Sequence, residues 1–127
     1  MVDLDSPVWR NMSASCGGTG ELSAKLLRRI REGVDDDATF AELYHQVCHQ
    51  LSVGRVACIA VPHLVDIART GKGMRLIWAL STIGTVVAAR QAHPRSSPSV
   101  PEEWQVDYLG AIEEARRLTA EALRATG

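Results

Sequence analysis

The chain has 127 residues, enough for one domain with its own core and no need of staples. Apolar residues make up 46% and charged residues 23%, the balance of an ordinary globular protein rather than a disordered one. Lys and Arg number 14 against 15 Asp and Glu, a formal net charge of −1, so no global positive field exists to gather nucleic acid or anionic lipid.

Residues 1–18 are expected to form a flexible arm, with 19–127 as a single helical domain. The arm opens with Asp3 and Asp5 and has no apolar run, so it does not read as a secretory signal. Ser6-Pro7 suits one helical turn, with Ser as cap and Pro in the first position. Trp9 is a candidate to pin the arm to the body, with a loose tail as the alternative. Gly17, Gly18 and Gly20 break the chain before the first predicted helix, about Glu21 to Glu32. Leu22, Leu26 and Ile30 make that helix's inward stripe, and Arg28, Arg29 and Arg31 gather where the helix dipole favours cations.

Asp35, Asp36 and Asp37 come next, and Thr39-x-x-Glu42 reads as a capping box opening a second helix near 39–52. Phe40, Leu43, Tyr44, Val47 and Leu51 share its core face, while Glu42, His45 and His49 project from the other side. A third helix, near 54–69, is apolar on almost every side and keeps only Arg55, Pro62, Asp66 and Arg69 as a polar strip. Such a helix is normally enclosed by neighbours. Pro62 predicts a kink inside it. The short link between the second and third helices predicts that they pack as an antiparallel hairpin.

Thr70-Gly71-Lys72-Gly73 is a hinge. The fourth helix, about Met74 to Arg90, is expected to bury Leu76, Leu80, Ile83 and Val87 and to carry Trp78, Ser81, Thr82 and Thr85 on its far side. Prolines between Pro94 and Pro101 impose an extended loop. A last helix follows from about Glu102 to Arg124, with Trp104, Tyr108, Ala111, Ala115, Leu118 and Ala122 inward. Glu113, Arg117 and Glu121 make a four-spaced ladder of alternating sign on its outside. The uncharged run Leu76 to Ala89 is too short to span a bilayer. No strand pattern occurs, so the expected fold is all-α: a compact bundle of about five helices around the Pro-kinked third.

The segment His49-Gln50-x-Ser52-Val53, followed after six residues by Ala60-Val61-Pro62-His63-Leu64-Val65, resembles bacterial HEAT-repeat-like (α-solenoid) helical hairpins. Glu42-Leu43-Tyr44 fits the first helix of such a hairpin, and the likeness extends over roughly residues 39–68. It departs at Leu51, where the pattern usually has Gly, and at Gly54, where an aromatic is common. One copy of the motif is present, which argues against a long solenoid, since stacked units stabilise each other. What the resemblance implies is a protein-binding scaffold rather than an enzyme, with antitoxin or immunity partners among its small bacterial forms.

Two classes of function are weighed. The first is a non-catalytic binding module for a protein partner or a second copy of itself, with no cofactor. Its candidate contact residues are the acidic run Asp35, Asp36 and Asp37, and the semi-polar face of the fourth helix, Trp78, Thr82 and Thr85; a charged loop and a core stripe are the bland readings of the same residues. The second is a metal-binding protein or metal-dependent hydrolase. His45 and His49 stand one turn apart, a geometry able to grip a divalent ion, with His63 as a third ligand from the facing helix; the H-E-x-x-H form is absent. Cys16, Cys48 and Cys58 have no C-x-x-C spacing, and Cys48 beside the histidines borders an apolar stripe unsuited to a nucleophile. Unpaired cysteines of this kind point to a reducing cytoplasm. The cluster Arg28, Arg29 and Arg31 is the only local argument for nucleic acid, and the overall charge opposes it.

Overall fold

A computed structural model of the chain describes residues 1–50 and 52–126, with the backbone alone for residue 126. A 3-10 turn, Pro7–Asn11, precedes five α-helices: α1 (Glu21–Arg31), α2 (Asp37–Val47), α3 (Ala57–Thr70), α4 (Met74–Ala92) and α5 (Glu102–Thr126). Between α2 and α3 lie two short strands, β1 (Cys48–His49) and β2 (Ser52–Val53), paired antiparallel with Cys48 opposite Val53 and His49 opposite Ser52. The fold is all-α.

α3 is the centre. Its sequence leaves almost no polar face, and Ile59, Ala60, Val61, Leu64, Val65 and Ile67 are all buried. It runs unbroken through Pro62, which is half-buried on the same strip as Asp66 and Arg69. α4 and α5 both pack along α3 and touch each other far less than either touches α3; α1 also meets α3. Removing side chains of this size from water is the main driving force for the arrangement.

Several expected boundaries shift. The first turn of α2 starts earlier, because Asp36 is the N-cap and its Oδ1 accepts from the Thr39 amide at 2.7 Å; Thr39 is the donor of that bond, not the capping residue. The helix also ends earlier, at Val47. Gln50 takes φ 49°, a left-handed conformation that turns β1 back on β2 rather than extending the helix. Leu51, expected on the core face of α2, lies outside the described residues.

The principal neighbour of α2 is α1, and the expected antiparallel pairing of α2 with α3 is replaced by the strand pair and residues 54–56. What occupies the gap is the N-terminal segment. The Ser15 amide donates to the Gln46 carbonyl at 2.7 Å, Ser15 Oγ donates to the His45 carbonyl at 3.0 Å, and the Val56 amide donates to the Ser13 carbonyl at 3.0 Å. Carbonyls at the end of α2 are thereby satisfied by residues some 30 positions away in sequence. The backbones approach so closely that a Cβ on Gly54 would stand 2.5 Å from the Ser15 amide nitrogen. Trp9 is buried in this layer, and its Nε1 donates to the Asp3 carbonyl at 2.8 Å.

α4 is rotated from its expected orientation. Ala79, Thr82, Ile83, Val86 and Ala89 are buried, whereas Leu76, Leu80 and Val87 are only half-buried. The small residues permit close approach to α3, leaving the larger aliphatics at the edges. On α5, Tyr108, Ala111, Ile112 and Ala115 form the buried face, and Arg90 of α4 lies over the Tyr108 ring at 5.5 Å. The polar ladder differs in one pairing: Arg117 meets Glu121 at 2.8 Å and Glu114 at 3.1 Å, while Glu113 lies 3.9 Å from Arg116.

Candidate functional site: an apolar groove between α4 and α5

An open groove of about 420 Å³ runs between α4 and α5. Ile83, Ile112 and Ala115 form its floor, and all three are buried. Gly84 and Ala88 on α4 and Ala120 on α5 shape its walls with little side-chain bulk. No atom lies within 4 Å of where a Gly84 Cβ would project, so the opening there is real space rather than tight packing. Gln91 and Arg116 supply polar groups at the rim. An apolar floor with a few polar groups at its edge suits a hydrophobic side chain or helix face of a partner.

The residues nominated from sequence as a partner surface are divided by the fold. Thr82 is buried, only 3% exposed, and its Oγ1 donates to the Trp78 carbonyl at 2.9 Å. Trp78 is half-buried and stacks on Phe40, with ring centroids 6.1 Å apart. Its Nε1 is buried and has no hydrogen-bond partner among the described residues. Thr85 is half-buried and donates back to the Ser81 carbonyl at 2.9 Å. Asp35, Asp36 and Asp37 are exposed, with Asp35 3.8 Å from Arg75 and Asp36 serving as the α2 cap. The amide of Thr39 holds the Asp36 carboxyl below its ordinary pKa.

The histidines fall into two environments. His45 and His49 bring their Nδ1 atoms to 3.0 Å on one side of the α2–β1 junction. His63 is buried elsewhere, with Nε2 2.6 Å from the Val2 carbonyl, Nδ1 2.9 Å from an Arg31 nitrogen, and the Trp9 ring 5.6 Å away. Among the described residues, no group of three or more His, Cys, Asp or Glu is placed to hold a metal ion. Cys48 and Cys58 are buried, and burial raises both thiols, Cys58 to about 11. That is the opposite of what a nucleophilic thiolate needs.

Two of the three arginines at the end of α1 are committed to the fold. Arg28 pairs with Asp5, and Arg31 meets both Asp66, at 3.0 Å, and His63. Sequence reasoning missed the groove because it depends on the rotation of α4. It also passed over Val106, Leu109 and Leu123, apolar residues outside the inward stripe of α5 that are exposed in the structure. Their departure from the inward set was the available signal. Among the described residues, no helix is long and apolar enough to cross a membrane. Compared with protein-family models, with curated proteins and with solved structures, the chain matches none.

Proposed function

We propose that this protein is a non-catalytic binding module whose α4/α5 groove receives an apolar segment of a partner protein. The observation carrying the reading is the groove itself, with its buried Ile83 and Ile112 floor and its open wall at Gly84. A concave site with an apolar floor and a few polar groups at its rim is the usual setting for binding a partner's side chain. The sequence likeness of residues 39–68 to HEAT-like hairpins points to the same class of function, but α2 and α3 do not pack together as such a hairpin, so the groove alone carries the reading. An adaptor, or an immunity- or antitoxin-type inhibitor working in a reducing cytoplasm, is its finer form.

Gly84→Phe tests the reading, since the added ring has room on the wall and projects into the recess. The tagged protein recovered from its native cells should carry a stoichiometric partner that the variant loses, with unchanged thermal stability. A variant that retains the same partner at the same level removes the groove from the function.

The metal-dependent alternative has one contact in its favour, the approach of His45 to His49. Two imidazoles without a third protein ligand make a weak site for zinc. Elemental analysis of untagged protein decides it: stoichiometric bound metal would establish the alternative.

A further inference from the structure

The outward face of α5 carries a periodic pattern of exposed side chains. Val106, Leu109, Glu113, Arg116, Ala120 and Leu123 follow one another at intervals of 3, 4, 3, 4 and 3 residues. This is the spacing of the contact seam in a coiled coil, in which knobs repeat every 3.5 residues on average. Yet the face is open: Val106 is 83% exposed, Leu109 62% and Leu123 67%. The Glu113 and Arg116 side chains are 81% and 66% exposed. Isolated exposed apolar residues are normal, but a run of this periodicity is a contact surface.

The pattern is also the same read from either end. Starting at the centre between Glu113 and Arg116, each position on one side has a counterpart at equal distance on the other: Leu109 with Ala120, and Val106 with Leu123. We propose that two copies of the chain pair through this face as an antiparallel α5–α5 coiled coil related by a two-fold axis. Such an interface needs a self-complementary patch. Here Glu113 of each copy meets Arg116 of the other twice over, Leu109 packs on Ala120, and Val106 packs on Leu123. In the adjoining flank, Glu103 faces Arg124 at both ends, both of them exposed in the single chain. A parallel pairing would set Glu113 against Glu113 and Arg116 against Arg116, which is repulsive. The seam extends over about 27 Å of helix.

A charged pair at the middle of the seam costs desolvation, and it selects register and orientation in return. The dimer is therefore of moderate strength, one that dissociates on dilution. The proposal rests on the protein-binding reading and adds a second copy as a partner at the α5 face, which shares Arg116, Ala120 and Leu123 with one wall of the groove.

Sedimentation equilibrium of the full chain, from about 1 µM to several hundred micromolar, reads the association directly. The wild type should dimerise, and Glu113→Arg and Arg116→Glu should each weaken the dimer at least about tenfold. Mixing the two variants should restore association, since every central contact is then between opposite charges. Orientation is read by oxidation in a Cys16→Ser background: an equal mixture of Leu109→Cys and Ala120→Cys chains should cross-link, and neither alone should. A wild type monomeric throughout, or charge variants that dimerise as tightly as the wild type, overturns the proposal. Cross-linking of Leu109→Cys chains to themselves overturns the antiparallel register. Failure here with a partner still lost in Gly84→Phe leaves groove binding standing, whereas a partner unaffected by Gly84→Phe counts against the groove alone.

Discussion

Arg31 approaches Nδ1 of His63 at 2.9 Å, and because a guanidinium can only donate, Nδ1 must accept. The proton therefore sits on Nε2, which donates to the Val2 carbonyl at 2.6 Å. Both ring nitrogens are satisfied in one neutral tautomer, and a second proton would face the guanidinium head-on. This contact joins the N-terminal segment, α1 and α3, and Arg31 extends it to Asp66.

The consequence is a pH dependence. Burial, reinforced by Arg31, holds the His63 imidazole below its usual pKa despite the favourable Val2 carbonyl. The unfolded chain binds its proton near pH 6.5, so stability from this group is complete above that value and declines as pH falls from there toward the folded-state pKa. The melting temperature should drop on acidification from pH 7 to 5, and His63→Gln should show a flatter profile over that interval. A wild-type profile no steeper than the variant's would remove His63 from the account.

Gly54 should be intolerant of any side chain. A Cβ there meets backbone of Ala14 and Ser15 at under 3 Å, which no rotamer change relieves. Gly54→Ala should destabilise by about 1–3 kcal/mol, as overpacking does elsewhere. Gly84→Ala, in open space on a helix, should instead leave stability unchanged or raise it slightly. Chemical denaturation of the two variants side by side measures the contrast.

The three cysteines should separate by reactivity. Cys16 is exposed, whereas Cys48 and Cys58 are buried with raised pKa values. Titration with a thiol reagent at neutral pH should modify one group rapidly, and Cys16→Ser should abolish that phase. The remaining two should react only as the protein unfolds. Rapid labelling of Cys58 in the folded state would contradict the packing of α3.

Loss of the α2 cap should have a local and measurable cost. Asp36→Ala removes the acceptor for the Thr39 amide and should lower the denaturation midpoint. Thr39→Ala should cost less, since its contribution to that bond is a backbone amide. Equal losses would mean that Thr39 caps the helix after all.

The helical content was legible because apolar spacing reports it directly. α3 announces its central place through side chains alone: Ile59, Val61, Leu64 and Ile67 leave solvent only the narrow strip of Pro62, Asp66 and Arg69. The end of α2 was not legible, since Val47, Val53 and Val56 continue an apolar run whichever way the backbone goes. The turn at Gln50 and the amide–carbonyl bonds of Ser13 and Ser15 are main-chain events without a side-chain signature. For the same reason the sequence did not show the packing of residues 13–15 against the end of α2. The candidate site was less legible still. Rotating α4 by a fraction of a turn buries Thr82 and moves Leu80 and Val87 toward the groove, and Ala79, Val86 and Ala89 make either orientation chemically acceptable.

The central claim is that the α4/α5 recess receives another polypeptide. Photo-crosslinking in living cells tests it most directly, with a benzophenone side chain placed at Ala88 in the groove or at Lys25, exposed on α1. The account predicts a discrete protein adduct from Ala88 and none of that size from Lys25. Equal adducts from both positions, or none from Ala88 at full expression, would contradict it.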